Sequence, residues 1–380
     1  MQRKQMRIAV NTRFLLKDRL EGIGWFTYET MKRITQWHPE HEFFFLFDRD
    51  FDPEFIFSDN VKPIVLSPQS RHPILWYIWF EHSVRRFIEK NRIDLFVSPD
   101  GYLSLKSKIP QVGVIHDINF YHFPKTIPPF ARRYCNYFFP KFASKAVRLA
   151  TVSEYSKYDI AKNYGVNPDK IDVVYNGSNE LYKSLTSSEI ENNKLLITDG
   201  KPYFIFVGAF NPRKNLIRLM LAFDLFKKGT KSDMKLVIVG DKMYGTTKMM
   251  KTLNYMEFRD DVIFTGRLQV EKLRKVIGSA FAMTYVSYYE GFGIPLLEAM
   301  NCDIPLVTSN CTSIPEVAGD AAIYIDPFSV DSIAEGMARI YNDDMLRNNL
   351  ISNARIQRER FSWDKTAQSF YRCIMKSVSK

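Results

Sequence analysis

Short runs of β-branched and aromatic residues recur along this chain, and stretches with a helical spacing of apolar residues separate them. In the first half the runs predict strands near residues 6–12, 42–47, 61–66, 93–98, 111–116, 148–153 and 171–175. In the second half they predict strands near residues 203–208, 235–240, 261–265, 281–287, 304–308 and 321–325. Almost continuously apolar strands that alternate with helices are typical of parallel sheets covered on both faces. Two such series predict an α/β protein with two doubly wound, Rossmann-like domains.

A polar stretch separates the two series. Residues 184–201 have no clear hydrophobic period, so we predict a linker there. We expect one domain over residues 1–183, a second over 202–362, and a C-terminal helix over 363–380 that packs back toward the N-terminal domain. Ligands of doubly wound sheets bind beyond the carboxyl ends of the strands. The site is therefore expected in a cleft between the two domains.

Composition excludes several classes of protein. The 380 residues are 46% hydrophobic and 25% charged, which excludes disorder or a coiled coil as the main architecture. The longest apolar run, residues 74–80, is much shorter than the ~20 residues of a spanning helix. The first residues lack the apolar core and cleavage site of a signal peptide. The four cysteines are far apart without a C-x-x-C pair, so we expect a protein of the reducing cytoplasm without a zinc knuckle.

The strongest candidate for chemistry is the sequence SYYEGFGIPLLEAM at residues 287–300. We predict that a strand ends here and that a helix starts at Pro295, after a turn that contains Gly291 and Gly293. Glycines let the backbone approach a ligand closely. A helix N-terminus favours a phosphate because its backbone N–H groups and dipole point toward the ligand.

Two acidic residues flank this turn. Glu290 stands at the strand exit, and Glu298 follows about one helical turn into the helix. One carboxylate could accept hydrogen bonds from sugar hydroxyls and the other from a ribose. A turn with two solvated glutamates is the alternative interpretation.

A second candidate follows the strand near residues 203–208. Arg213 and Lys214 stand between this strand and the next predicted helix. Cations at the carboxyl end of a strand, beside a helix N-terminus, can clamp a diphosphate. A solvated basic helix start is the alternative.

The first domain offers two weaker candidates. Gly22 and Gly24 close a loop after the first strand, and we predict a helix from Trp25 onward. This G-x-G lacks the third glycine of a dinucleotide fingerprint, but it suits a loop that touches a phosphate or sugar. His116 and Asp117 end a buried strand, where the imidazole could donate to a sugar hydroxyl; a merely packed histidine is the alternative.

Other motifs argue against competing functions. Asp48-Arg49-Asp50 mimics a D-x-D metal motif, but no further acidic cluster is placed to complete a site, so we expect a solvated loop and no metal. The sequence has neither a P-loop motif nor a G-x-S-x-G elbow, which disfavours P-loop hydrolysis and an α/β hydrolase.

These motifs together resemble the retaining glycosyltransferases of family 4, which have the two-domain GT-B fold. The resemblance rests on an E-x7-E motif from Glu290 to Glu298. It also rests on four further segments: ATVSEYSK at 150–157, VVYNGS at 173–178, FIFVGAFNPRKNL at 204–216 and IPLVTSNCTSIPEVAG at 304–319. The Gly22-Ile23-Gly24 and His116-Asp117 elements look most like the mannosyltransferase B-like branch, which builds bacterial surface polysaccharides.

The resemblance implies a hexosyltransferase that retains the anomeric configuration. Its donor would be a GDP- or UDP-linked sugar, with mannose favoured, and its acceptor a polysaccharide, a lipopolysaccharide or a lipid-linked glycan. No cofactor or metal is implied. By motif position, Lys214 together with Arg213 would bind the diphosphate, and Glu298 would bind the ribose hydroxyls.

The same resemblance gives roles to the remaining candidates. Glu290 would hold the donor sugar together with the backbone of Gly291, Phe292, Gly293 and Ile294. From the first domain, His116 and the loop with Gly22 and Gly24 would approach the sugar and phosphate. Many family members have arginine directly after the strand-end glycine, where this chain has Ala209, so we expect the clamp to depend more on Arg213.

The basic charge is concentrated in one segment. The net charge is +11, and residues 71–148 alone hold 13 basic and 5 acidic residues. Such a surplus indicates an anionic partner. With the aromatic residues of this segment, it predicts a peripheral contact with anionic lipid on the inner face of the membrane.

Two other function classes stay open at this point. A non-catalytic nucleotide-sugar or nucleic-acid binding protein of the same fold is the alternative, although the sequence has no R/K-G-F-like motif and we expect no nucleic acid. A dehydrogenase is a third class, weakened by the incomplete glycine fingerprint.

Overall fold

The computed structural model describes residues 5–17, 19–241 and 246–378. The chain forms two compact units: the first contains the residues up to Gly177 and those from Ser362 onward, and the second is Ser178–Phe361. In the described residues each unit has one sheet, and the strands of both sheets pair in parallel.

The sheet of the first unit, within the described residues, has seven strands in the order β3-β2-β1-β4-β5-β6-β7. They are β1 (Arg7–Asn11), β2 (Glu42–Phe47), β3 (Val61–Val65), β4 (Leu95–Ser98), β5 (Gln111–Val114), β6 (Arg148–Thr151) and β7 (Ile171–Val173). Strand β1 lies in the centre, where Val10 pairs with Phe45 on one side and Val97 on the other. All three side chains are fully buried, as continuous apolar strands of a parallel sheet require.

Helices of the first unit connect these strands. They are α1 (Gly22–Trp37), α2 (Pro73–Ile78), α3 (Arg85–Lys90), α4 (Asn119–His122), α5 (Pro129–Lys145) and α6 (Glu154–Tyr164), with π-helical turns over Trp79–Val84 between α2 and α3. Helix α1 begins at Gly22, three residues before the predicted start at Trp25. The glycine pair therefore belongs to the first helical turn, which is a correction of the predicted loop.

The sheet of the second unit, in the part of the chain that the structure describes, has six strands in the order β10-β9-β8-β11-β12-β13. They are β8 (Tyr203–Val207), β9 (Lys235–Val239), β10 (Val262–Gly266), β11 (Ala282–Tyr285), β12 (Leu306–Ser309) and β13 (Ala322–Ile325). Every strand that the sequence predicts thus appears in the described residues. The α/β prediction of two Rossmann-like domains is confirmed.

The prediction of a linker over residues 184–201 is wrong. This segment contains the helix α7 (Ser187–Thr198) and belongs to the second unit. Thr186 and Glu189 cap this helix reciprocally. Thr198 is buried, but most of the helix is half-buried or exposed, so no apolar stripe marks it in the sequence.

The remaining helices complete both units. They are α8 (Leu216–Thr230), α9 (Thr246–Tyr255), α10 (Val270–Gly278), α11 (Ile294–Asn301), α12 (Ile314–Ala318), α13 (Val330–Asn342), α14 (Asp344–Arg358) and α15 (Trp363–Lys376). Helix α15 belongs to the first unit, where the ring of Phe370 lies 5.4 Å from that of Phe26 on α1. Among the described residues, no helix is both long and apolar enough to cross a membrane.

Candidate active site

The turn after β8 brings a pair of cations to the carboxyl end of the second sheet. Pro212–Lys214 form one 3-10 turn, and Asn215 then takes the left-handed conformation with φ of +63°. The buried side-chain amide of Asn215 donates to the carbonyls of Val286, 3.0 Å away, and Pro327, 2.7 Å away. Asn215 thus ties the turn to the segments that follow β11 and β13.

The Glu290 carboxylate lies against both of these cations. Lys214 Nζ is 2.7 Å from Oε1, and Arg213 Nη1 is 2.8 Å from Oε2. Tyr285 donates its hydroxyl to Oε1 over 2.9 Å. Burial alone would raise the pKa of Glu290, but the charges of Arg213 and Lys214 outweigh it and hold the pKa at about 2. Glu290 is therefore ionised and paired with two cations. The alternative interpretation of a solvated glutamate is wrong for this residue.

The glycine turn after Glu290 is fixed by its backbone. Gly293 has φ of +100°, a conformation that a side chain would strain. Ser313 donates its hydroxyl to the carbonyls of Glu290 and Phe292. Helix α11 begins at Ile294, one residue before the predicted start.

Phe292 contributes both its backbone carbonyl and its aromatic ring to this turn. Its side chain is buried in the second unit, with its ring 5.6 Å from that of Phe361. The aromatic ring therefore anchors the turn, and the main chain of this residue remains the part that can face a ligand.

Glu298 lies on α11 and is partly buried. Burial raises the pKa of its carboxyl to about 7, even though a hydrogen bond from Tyr182 lowers it. The group therefore changes charge near neutral pH. The partner residue Tyr182 was not predicted, because the sequence places it at the end of the expected N-terminal domain, whereas it belongs to the second unit.

Two glycines keep the carboxyl ends of β8 and β9 close together. A Cβ on Gly240 would lie 2.0 Å from the carbonyl oxygen of Gly208. The amide of Gly208 donates to the carbonyl of Val239 over 2.9 Å. Gly240 was not predicted as a site residue, although a glycine at the end of a buried strand is a signal of close backbone approach.

His116 follows β5 in the first unit. Its Nε2 lies 2.9 Å from the carbonyl oxygen of Pro99, and its ring meets that of Phe26 edge-on. A carbonyl can only accept, so Nε2 carries the proton and Nδ1 is the acceptor nitrogen of the neutral ring. Burial lowers the pKa of His116, which favours this neutral form. The predicted donation from the imidazole to a sugar hydroxyl is therefore wrong, because the free ring nitrogen Nδ1 can only accept.

Gly22 and Gly24 have different surroundings in the first turn of α1. A Cβ on Gly24 would lie 2.8 Å from the carbonyl oxygen of Phe14, whereas nothing lies within 4 Å of the same position on Gly22. Gly24 is therefore required for close packing against the loop after β1. Gly22 is exposed.

A buried ion pair of the first unit was also missed. Arg13 Nε lies 2.6 Å from Asp100 Oδ2, and the Arg13 guanidinium lies 4.2 Å from the ring centroid of Tyr102. Asn11 donates to the same carboxylate. The network fixes the segments that follow β1 and β4, next to the Pro99 carbonyl that His116 contacts.

The D-x-D mimic is built differently from a metal site. Asp48 is buried and accepts hydrogen bonds from Arg49 and Ser70. The prediction of a solvated loop is therefore wrong for Asp48, which has a structural role. In the described residues, no group of three or more histidine, cysteine or acidic side chains could hold a metal ion.

Comparison with known proteins assigns the chain to a family. Residues 20–180 match the family model "Glycosyltransferase Family 4", and residues 187–357 match the model "Glycosyl transferases group 1". The chain belongs to these glycosyltransferases, and it is an enzyme of the transferase class.

Two curated relatives and one solved structure are similar to most of this chain. The chain is 28% identical over 273 residues to O-antigen chain mannosyltransferase B from Escherichia coli, covering 71% of each protein. It is 27% identical over 256 residues to an O-antigen chain mannosyltransferase from Salmonella typhimurium, covering 67% of each. The solved structure of sucrose-phosphate synthase from Thermosynechococcus elongatus aligns with a TM-score of 0.78 at 16% identity, covering 98% of this chain and 99% of that one. The fold is GT-B.

Proposed function

We propose that this enzyme is a retaining, metal-independent hexosyltransferase that uses a nucleotide-diphosphate sugar. The observation that carries the proposal is the cluster of Arg213, Lys214 and Glu290 beside the N-terminus of α11. Because two relatives are named as mannosyltransferases of O-antigen chains, we propose mannose as the sugar. The acceptor is then a polysaccharide, a lipopolysaccharide or a lipid-linked glycan.

Each residue of the cluster has a role in this proposal. Lys214 and Arg213 bind the diphosphate, and the backbone of residues 291–294 holds the donor sugar with Glu290. Glu298 accepts hydrogen bonds from the ribose hydroxyls. His116 accepts a hydrogen bond from a sugar hydroxyl at Nδ1, because its one proton, on Nε2, is donated to the Pro99 carbonyl. We assign residues 22–24 to the same sugar and phosphate.

The chemistry follows from charge. As the bond between the anomeric carbon and the β-phosphate oxygen breaks, its electron pair goes to that oxygen. Fixed cations and a helix N-terminus stabilise the developing charge, which is often the largest catalytic contribution. The acceptor hydroxyl forms the new bond on the same face of the sugar and gives its proton to the leaving phosphate.

Glu290 is a poor candidate for a covalent nucleophile. Two cations and a tyrosine hydroxyl already occupy its carboxylate oxygens, and this pairing reduces the electron density available for attack. A double displacement needs a free carboxylate beneath the sugar. The contacts therefore favour front-face attack assisted by the phosphate.

A donor screen tests the proposal. GDP-mannose, UDP-glucose and UDP-N-acetylglucosamine are assayed for binding, hydrolysis and transfer, with and without chelator. We expect one donor to be turned over at an unchanged rate in chelator. Stabilisation by oligonucleotides or NAD but not by nucleoside diphosphates would overturn the proposal, and binding without any turnover would indicate a non-catalytic binding protein.

We also propose a peripheral contact of the first unit with anionic lipid, through one face of α5. Phe130 and Tyr137 are 75% and 59% exposed, and Arg133 and Lys141 are exposed on the same face. The Lys141 ammonium lies 3.4 Å from the centroid of the Tyr137 ring. By contrast Trp79, in the same basic segment, is fully buried and belongs to the core.

Liposome co-sedimentation tests this contact. We expect binding to vesicles with anionic lipid at low salt, because each basic residue near such a surface contributes about 1 kcal/mol. Neutralising Arg132, Arg133, Lys141 and Lys145 together should reduce binding without a change in nucleotide affinity. Equal partitioning onto neutral and anionic vesicles, or none at low salt, would contradict the proposal.

A further inference from the structure

We infer that Tyr285 is a positioning residue of the donor site: its hydroxyl holds the Glu290 carboxylate in place while a donor diphosphate occupies Lys214. The inference rests on the proposed function. It assigns a role to a residue that lies inside the strand predicted near residues 281–287 and that had no predicted role.

A closed triangle of hydrogen-bonding atoms joins the Tyr285 hydroxyl oxygen, Lys214 Nζ and Glu290 Oε1. Lys214 Nζ is 2.6 Å from the Tyr285 oxygen and 2.7 Å from Glu290 Oε1, and the Tyr285 oxygen is 2.9 Å from the same Oε1. An ammonium group can only donate, and an ionised carboxylate can only accept. The single proton of the hydroxyl therefore points to Glu290, and the hydroxyl oxygen accepts from Lys214.

The tyrosine ring is held independently of these two partners. It is fully buried at the end of β11, nearly parallel to the ring of Phe206 at 17° with centroids 6.1 Å apart. The backbone carbonyl of Tyr285 accepts a hydrogen bond from Thr308. The hydroxyl is therefore a fixed point, whereas Lys214 has a flexible side chain.

This difference matters when a donor binds. A diphosphate attracts the Lys214 ammonium and competes with Glu290 for it. The hydrogen bond from Tyr285 does not involve the phosphate, so it persists and keeps Oε1 oriented toward the donor sugar. Tyr285 should therefore affect turnover more than nucleotide binding.

The test compares Tyr285→Phe with Tyr203→Phe. Tyr203 is a matched control, because it is also fully buried in the same sheet and donates its hydroxyl to the carbonyl of Val276 over 2.6 Å. We expect kcat to fall about tenfold or more in Tyr285→Phe, since a hydrogen bond to a charged group is lost. The nucleoside-diphosphate Kd should change less than threefold. Tyr203→Phe should keep the wild-type kcat.

Several outcomes would overturn the inference. They are a wild-type kcat in Tyr285→Phe, an equal loss of kcat in both variants, or a loss of nucleotide affinity as large as the loss of kcat. If the unmodified enzyme transfers no sugar from any donor, the proposed function fails instead.

A double-mutant cycle with Glu290→Gln gives a readout that does not require turnover. We expect the effects of Tyr285→Phe and Glu290→Gln on thermal stability to be non-additive, because each change removes the same hydrogen bond. Additive effects would show that the two side chains act separately, and this would overturn the inference even for an inactive preparation.

Discussion

Lys214 and Glu290 form a buried ion pair, with the ammonium nitrogen 2.7 Å from the carboxylate oxygen Oε1. Arg213 lies 2.8 Å from the other oxygen of the same carboxylate, so two cations face one anion. Charges removed from water are costly unless they are well paired. A diphosphate would supply further negative charge to this cluster, which is the physical basis of the proposed clamp.

Lys214→Ala should weaken nucleoside-diphosphate binding tenfold or more, because a charge-assisted hydrogen bond contributes about 1.5–3 kcal/mol. Arg213→Ala should have a similar or smaller effect. Titration calorimetry with GDP and UDP measures both. Lys227→Ala is the control, since Lys227 is also buried and paired, 2.7 Å from Asp261, outside the cluster. An unchanged Kd in Lys214→Ala would refute the assignment.

Glu290→Gln should lower kcat by tenfold or more while nucleotide affinity stays the same or increases. The carboxylate competes with a diphosphate for Arg213 and Lys214, and the neutral amide competes less. Replacing the carboxylate also removes the charged group that holds the donor sugar. Steady-state kinetics and calorimetry separate the two effects, and a Kd that weakens as much as kcat falls would contradict this division of roles.

Gly240→Ala should destabilise the second unit by about 2 kcal/mol or more, because overpacking and a strained backbone add. The new Cβ would lie 2.0 Å from the Gly208 carbonyl oxygen at a φ of +150°. Gly229→Ala is the matched control: Gly229 lies in α8 with nothing within 4 Å of a Cβ, so helix propensity predicts no loss. Thermal unfolding distinguishes the two, and equal melting temperatures would contradict the packing argument.

The strands could be predicted because each is a run of buried apolar residues, such as β8 with all five residues buried. Helix α7 could not, because its residues bury too little to leave a periodic pattern. The predicted start of α1 was three residues too late, because the two glycines were assigned to a loop. Gly24 is instead needed for the close approach of the helix to Phe14.

In the candidate site, Lys214 and Glu290 were recognisable from their places after strands. Tyr285 was not, since its contact with Lys214 spans 71 residues and any aromatic residue suits a buried strand end. Tyr182 was assigned to the other domain. Spacing along the chain predicts which strand end carries a residue, but it does not predict which side chains meet across strands.

Nucleoside-diphosphate affinity should increase as the pH rises through about 7, the pKa to which burial raises Glu298. Below this pH the carboxyl holds a proton and is a weaker acceptor for ribose hydroxyls. Above it, the carboxylate accepts fully. Calorimetry between about pH 5.5 and about pH 8.5, on both sides of this pKa, would measure the change.

Glu298→Gln separates this effect from titration of the nucleotide phosphate, because the phosphate is unchanged in that variant. The additional pH dependence should disappear and the affinity at high pH should fall. Tyr182→Phe should move the midpoint upward, because the hydrogen bond that lowers the pKa of Glu298 is lost. In the free protein, the raised pKa of Glu298 makes the stability of the fold change with pH in the direction opposite to nucleotide affinity. Between about pH 4.5 and about pH 7 the folded state keeps a proton that the unfolded chain releases, so stability decreases as the pH rises. A pH profile of affinity that is identical in wild type and Glu298→Gln would refute the ribose assignment.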